Sequence, residues 1–298
     1  MITICVPAYN ADRYLAETLD SVRSQIFADW ELILVEDGSK DRAEEMLNAF
    51  ASQVRQSVRY VRHEKNAGLP VTRNTAIASA RTEWIALLDS DDLWTSEHLN
   101  TLVKCSRSTG ADLVHAGSQL FDSDTGRDLE IRAPTPEAIA DFPLSLFDNR
   151  YIIQPASVML KRSLWQRVGG FNPAFRYVED REMWLRCARA GGRFAYSGLE
   201  TCRYRKHASA LSTHAAAMAE AAAAVFDQHL DWAELPKALR VRLASETWAA
   251  AGKLRQRKDP RTASRHFGRA CALRWRPDWQ LRAWVFQVIG TLRPVKPV

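Results

Sequence analysis

The feature that most restricts the fold is an alternation running through the first 120 residues, in which short apolar runs are followed by segments of helical periodicity. Thr3 to Val6 reads as a strand, after which Leu15, Leu19, Val22 and Ile26 recur at helical spacing. "ELILVED" reads as a second strand and "SVRYVRH" as a third; "PVTRNTAIASA" is helical and "WIALLD" is a fourth strand. This rhythm predicts an α/β fold: a mainly parallel, Rossmann-like sheet with helices on both faces. Ligands of such sheets bind beyond the carboxyl ends of the strands. The first, second and fourth runs end in "PAYN", "EDGSKD" and "DSDD", so three polar clusters are expected to converge on one sheet edge.

Residues 112 to 160 are mixed, with strands near "DLVHAGSQLF" and "PASVMLK" around a Pro-containing connection. A helix is expected to begin near Glu179 or Asp180. After "YRKHASALS" the composition changes: from about Ser212 to Gly290 the chain is rich in Ala, Leu, Arg and Trp, with Pro236, Pro260 and Pro277 punctuating helices. The expected organisation is a first domain over 1–212, divided near 120 into two parts, and a helical C-terminal extension over 213–298. "WAAAGKLRQRKDPRTASRHFGRACALRWRP" has the small-and-large rhythm of one tetratricopeptide-like helix pair, too little for a repeat array.

Hydrophobic residues make up 46% of the chain and charged residues 26%, which excludes a disordered protein. The five cysteines are scattered without metal-finger spacing and read as small buried hydrophobes in a reducing compartment. The N-terminus lacks a basic n-region and a long apolar stretch, and no run approaches the ~20 apolar residues of a spanning helix. The expected location is therefore cytoplasmic, with contact to the inner face of a membrane left open. The net charge of +6 is concentrated late, because Lys and Arg outnumber Asp and Glu from Arg240 onward. That suits anionic lipid, an acidic polymer or a phosphorylated substrate; no nucleic-acid partner is expected. In "RWRPDWQLRAWVFQVIG", Trp275, Trp279, Trp284 and Phe286 interleave with Arg. Such a helix lies on a membrane surface, completes a dimer, or packs its aromatics against the rest of the protein.

"ALLDSDDLW" poses the chemical question. Asp89, Asp91 and Asp92 repel one another and raise one another's pKa unless a cation or hydrogen bonds compensate. Hard divalent cations take such oxygen ligands together with substrate phosphates; the structural alternative is that Asp92 or Ser96 caps the next helix. In "VEDGSKD", Gly38 permits a tight turn, and Asp37 at a strand end has the polarity to bond a nucleobase edge. "NAGLPVTRNTAI" places Gly68 before a helix carrying Arg73 and Asn74; Arg73 suits a diphosphate or an ordinary salt bridge. In "GGFNPAFRYVEDREMWLR", Glu179 and Asp180 precede a helix, where a carboxylate serves as a cap or, across a cleft from Asp91, as a base. "YRKHASALS" is expected to be a basic, polar loop holding His207, where an isolated His is commonly structural or exposed; beside a carboxylate metal site it gains a role as ligand or phosphate contact.

Together, "VPAYN", "VEDGSKD", "NAGLPVTRNTAI", "LLDSDDLW", "GGFNPAFRYVEDREMWLR" and "YRKHASALS" closely resemble glycosyltransferase family 2, whose members have the A-type nucleotide-diphosphosugar transferase fold. The order and spacing of the pieces, from residue 3 to about 212, carry the resemblance. It implies that Pro7 and Tyr9 frame the nucleotide base, that Asp37 binds uracil, and that Arg73 lies near the base and diphosphate. It further implies Asp89 on the ribose side, Asp91 on a divalent Mn or Mg, Asp180 as general base with Glu179 beside it, and His207 as a metal or phosphate contact. Glu36 stands where Asp is usual and Thr72 where Ala is usual. The transmembrane helices and "QxxRW" motif of processive synthases are missing.

The implied activity is inverting, metal-dependent transfer of a sugar from a nucleotide diphosphosugar, UDP favoured, to a hydroxyl of a glycan or glycolipid in bacterial surface polysaccharide or glycoconjugate synthesis. Two other classes compete with it. A non-catalytic nucleotide or carbohydrate binder would have no need for a base at Asp180. A nucleotidyltransferase would carry a Gly-rich, basic phosphate loop that "VPAYNADRY" lacks.

Overall fold

A computed structural model of the chain describes residues 1–207 and 213–292. It forms two compact units, Met1–Ala208 and Ser209–Val298. The boundary expected at 212 lies within 208–212, outside the described residues.

The first unit is built on a nine-stranded sheet. Its strands are β1 (Ile2–Ala8), β2 (Trp30–Glu36), β3 (Val58–Arg62), β4 (Trp84–Leu87), β5 (Leu93–Trp94), β6 (Leu113–Asp122), β7 (Asp128–Arg132), β8 (Val158–Lys161) and β9 (Phe194–Lys206). The order is β3-β2-β1-β4-β8-β6-β9-β5, with β7 on β6. The first four of these neighbours are parallel. Beyond them β8 runs antiparallel to both β4 and β6, whereas β6 and β9 are parallel. The sheet is thus parallel through the half read as alternating and mixed beyond it.

Every residue of β1 and β2 is buried. Both faces of these central strands are covered, so they read as continuous apolar runs rather than alternating ones. Ile4, Val6, Leu32 and Leu34 pack with Leu15, Leu19 and Val22 of the helix Leu15–Arg23 and with Leu47 and Phe50 of Ala43–Ala51. Thr3, the polar exception in β1, bonds Glu31 at 2.6 Å and Thr82 at 2.7 Å, so its burial leaves no hydroxyl unmet. Ile26 falls beyond the helix end and is exposed, so the expected helical period stops at Val22.

Three strands escaped the sequence reading. β5 is two residues long, β7 is an exposed edge, and β9 is only partly buried along most of its length. β7 is five residues long and exposed at nearly every position, and burial along β9 does not alternate, so neither gives a sustained period-2 signal. "YRKH" is accordingly not all loop: Tyr204 to Lys206 end β9, and His207 follows directly.

The second unit contains the helices Ala215–Gln228, Lys237–Arg255, Pro260–Leu273 and Pro277–Leu292. The expected Pro punctuation holds: Pro260 and Pro277 open their helices, where a missing N–H costs nothing. Ala249, Ala263, Phe267, Ala270 and Trp279 form its core. Glu220 accepts from Arg255 at 2.6 Å and pairs with His266 at 3.0 Å.

Candidate active site

The carboxyl ends of β1, β2 and β4 lie side by side, as parallel pairing requires. The Asp37 N–H donates to the Ala8 carbonyl at 2.9 Å and the Leu88 N–H to that of Cys5 at 3.1 Å. Pro7 is buried within β1, whereas Tyr9 just beyond the strand end is 50% exposed. Asp37 is buried, and its carboxylate accepts from the N–H groups of Ala67 at 2.9 Å and Gly68 at 2.8 Å. It also meets His63 Nδ1 at 2.7 Å, and the other ring nitrogen of His63 reaches Thr75 at 3.0 Å. Asp37 therefore shapes the loop that leads into the helix Leu69–Ser79. Gly38 is obligatory beside it: at φ 75° any Cβ would sit 2.5 Å from the Lys65 backbone.

Arg73, on that helix, is 1% exposed and is the centre of a buried clasp. One Nη donates to Asp89 Oδ1 and the other to Glu179 Oε1, each at 2.6 Å. The Phe171 ring lies 5.4 Å from the guanidinium carbon. Burial opposes the Arg73 charge, but Asp89 and Glu179 outweigh it and raise the pKa. Burial likewise raises the Asp89 carboxyl, and Arg73 offsets part of that rise. One buried cation thus ties the turn after β4 to the helix Glu179–Arg189.

Further contacts pack around the clasp. Asn74, next on the helix, accepts from the Phe171 N–H at 2.9 Å and Trp165 Nε1 at 3.1 Å and donates to the Phe171 carbonyl at 2.7 Å. Gly170 is packed against it at φ 74°, where a Cβ would fall 2.7 Å from Asn74 Oδ1. Val178 immediately precedes Glu179 with φ 52°, left-handed backbone that a β-branched residue rarely adopts. The chain reverses sharply there and starts the helix with two carboxylates, Glu179 and Asp180. Burial pushes Glu179 up to about 7, with Arg73 opposing. Burial also raises Asp180, while the Arg181 N–H and then the Arg73 charge lower it; Asp89 repels it. Asp180 therefore senses Arg73 and Asp89 without being a residue that Arg73 binds.

The Asp triplet divides its roles. Asp89 is clasped, and Asp92 is 1% exposed and accepts from the Arg205 N–H at 2.9 Å. Burial raises Asp92 well above its ordinary value, Asp91 and Asp89 add to that, and Arg205 opposes it. Neither alternative cap forms: the helix His98–Thr109 starts from Glu97 without a side-chain cap. Asp91 is the open member, with 36% of its side chain exposed and one oxygen 2.9 Å from His207 Nε2. The His207 ring lies 5.1 Å from that of Tyr14. The structure thus joins two residues 116 positions apart that were expected to share a metal.

Arg205 was missed. It is 4% exposed, sends Nε to the Asp91 carbonyl at 2.7 Å and Nη2 to Glu17 at 2.9 Å, and lies 4.4 Å from the Tyr14 ring centre. An Arg inside a basic stretch reads as solvated, and nothing in "YRKH" distinguishes this one. Asn74 at least had a signal, its place beside Arg73 in a helix-opening motif.

Comparison with known proteins decides the family. The model of Glycosyl transferase family 2 matches residues 3–168, more than half of the chain. The chain belongs to glycosyl transferase family 2. Among family relatives, TuaG of Bacillus subtilis, a glycosyltransferase named for teichuronic acid biosynthesis, is 28% identical over 68% of this chain and 77% of its own length. GlyG of Streptococcus pneumoniae is also 28% identical, over 61% and 64%, and EpsJ of B. subtilis 30%, over 60% and 54%. The chain thus spans about three quarters of TuaG but less than two thirds of GlyG and EpsJ.

Solved structures share the fold. Residues 1–349 of S. aureus TarS in complex with UDP superpose with a TM-score of 0.67 at 14% identity, over 99% of this chain and 93% of that TarS chain. The mannosyltransferase PcManGT of Pyrobaculum calidifontis, in complex with GDP-Man and Mn2+, superposes with 0.63 at 18% identity, over 98% and 86%. The family 2 match ends before Glu179, Asp180 and His207, so the positions of these three come from the tertiary structure.

Proposed function

We propose that this family 2 glycosyltransferase is an inverting, metal-dependent enzyme that moves a sugar from a nucleotide diphosphosugar to an acceptor hydroxyl in surface polysaccharide or glycoconjugate synthesis. A UDP-sugar is the favoured donor, in keeping with the UDP complex of TarS; the GDP-Man complex of PcManGT is the reason to test other bases. The name of TuaG favours a polysaccharide acceptor.

The observation that carries the reading is the Arg73 clasp. It draws the Asp89–Asp92 turn and the start of the Glu179 helix into one cluster, holding Asp180 near the donor-side carboxylates. In this reading Pro7, Tyr9 and the Asp37 loop frame the base, and Asp89 faces the ribose. Asp180 takes the acceptor proton as the hydroxyl oxygen attacks the anomeric carbon, opposite the leaving diphosphate, which inverts the centre. Its raised pKa makes it a stronger base, and the Arg73 charge and Arg181 N–H favour its ionised form. Glu179, already paired, positions Asp180 rather than replacing it.

The donor set at Asp91 fits a hard divalent cation. An exposed carboxylate pairs with an imidazole, and Mg or Mn commonly takes few protein ligands plus phosphate oxygens and water. Among the described residues no group of three His, Cys, Asp or Glu could hold a metal alone. Asp91 and His207 would hold it, and bound there it would neutralise charge on the leaving diphosphate.

The test is a screen of nucleotide sugars with Mn and Mg for donor hydrolysis and transfer, repeated with Asp180→Asn. Loss of the base should lower transfer by ~10²–10⁴-fold and leave UDP binding intact. Transfer by Asp180→Asn at the wild-type rate would reject the assignment.

A further inference from the structure

The helix Pro277–Leu292 is apolar on two sides, and among the described residues one of these sides is packed while the other is exposed. Trp279, Ala283 and Phe286 turn inward and pack with Ala263, Phe267 and Ala270 of Pro260–Leu273. On the other side Leu281, Trp284 and Val288 recur at helical spacing and are 60%, 61% and 40% exposed. Trp275, just before the helix, is 69% exposed. A helix that is apolar all round normally buries both sides. Contiguous exposed apolar side chains of this size mark a docking surface.

Charge selects the occupant. Between 209 and 298 the chain carries fifteen Lys and Arg against seven Asp and Glu, although residues 1–208 are slightly acidic. Arg261, Arg265, Arg274 and Arg276 are exposed on or beside the last two helices. Asp278, the single acidic residue of the last helix, is paired with Arg276 at 3.5 Å. A second copy of the same surface would bring like charges together, whereas an anionic surface is attracted. Trp, Leu and Val beside Arg, on a helix too short and too polar at its start to span, are the composition of a helix lying in a lipid interface.

We propose that the exposed face of Pro277–Leu292 docks this unit on an anionic lipid bilayer, with Leu281, Trp284 and Val288 entering the headgroup boundary and the arginines facing lipid phosphates. The proposal is independent of the transferase reading, because none of these residues belongs to the Asp91–Asp180 cluster.

Flotation of the full chain with phosphatidylcholine vesicles, with and without phosphatidylglycerol, tests it. The chain should float with the anionic vesicles alone, and less so as salt is raised, since screening weakens the basic attraction. The double variant Leu281→Ser, Trp284→Ser should bind at least ten-fold more weakly with an unchanged melting temperature and donor hydrolysis. Arg274→Gln with Arg276→Gln should weaken binding and leave the apolar face intact. Equal binding to neutral vesicles, no binding, or undiminished binding by the Ser variant would overturn the proposal. Sedimentation equilibrium that finds a dimer dispersed by the Ser variant would also overturn it, by giving the face to a second copy.

Discussion

Arg73 concentrates the energetics of the site on one side chain. With two carboxylates on one buried guanidinium, its removal strands both acids without their counter-charge. Breaking such a pair costs about 3–5 kcal/mol, whereas replacing all members with uncharged groups costs far less. Arg73→Met should therefore lower unfolding stability in urea by about that amount, and adding Asp89→Asn and Glu179→Gln should recover much of it. A triple variant no more stable than Arg73→Met would mean that the clasp holds no such strain in reserve. Glu179 adds a pH signature. Its carboxyl lies near 7 in the fold against 4.5 when unfolded, so the folded chain retains a proton that the unfolded chain has lost. That contribution to stability is present below 4.5 and is lost as pH rises through about 7. Stability measured across this window should decline with pH, and Glu179→Gln should flatten the decline. The sequence did not place Arg73 beside Glu179, because a buried Arg and a solvated one are written with the same letter.

At the scale of elements, the start of the Glu179 helix is where strain and function meet. Val178 holds left-handed backbone that costs an L-residue about 1–2 kcal/mol, and its carbonyl accepts from the Glu182 N–H at 3.0 Å as the helix begins. Asn tolerates this region far better than a β-branched residue, so Val178→Asn should raise stability by about 1 kcal/mol while transfer continues. Val178→Pro, with φ fixed near −65°, should abolish transfer by moving Asp180 even where the chain still folds. Urea unfolding and transfer assays on the same preparations separate the two effects; a Pro variant that transfers at the wild-type rate would detach Asp180 from the mechanism. The central strands were legible because both their faces are buried, and buried strands are apolar throughout. β7 and β9 were not, because β7 is short and exposed at nearly every residue and burial along β9 does not alternate. Asp92 was readable as structural but not as the acceptor of the Arg205 N–H, since that partner arrives on β9 from 113 positions away.

At the scale of the whole molecule, the first unit gathers loops from four strand ends, and the second is a basic helical unit whose last helix is half-covered among the described residues. The metal reading belongs here, because Asp91 and His207 meet only when β4 and β9 share a sheet. EDTA should stop transfer and added Mn should restore it. Asp91→Ala should weaken Mn-dependent UDP binding in calorimetry, and unchanged binding would move the cation elsewhere. By itself the sequence determined the α/β rhythm, the polar strand ends, the run of Asp residues and the helical C-terminal part. Each of these is a local pattern, in which period or adjacency in the chain states the physics directly. The tertiary structure alone decided that Arg73 pairs with Asp89 and Glu179, that His207 meets Asp91, and which side of the Trp-rich helix is covered. Those are contacts between distant segments, chosen by burial and charge pairing once the sheet has formed.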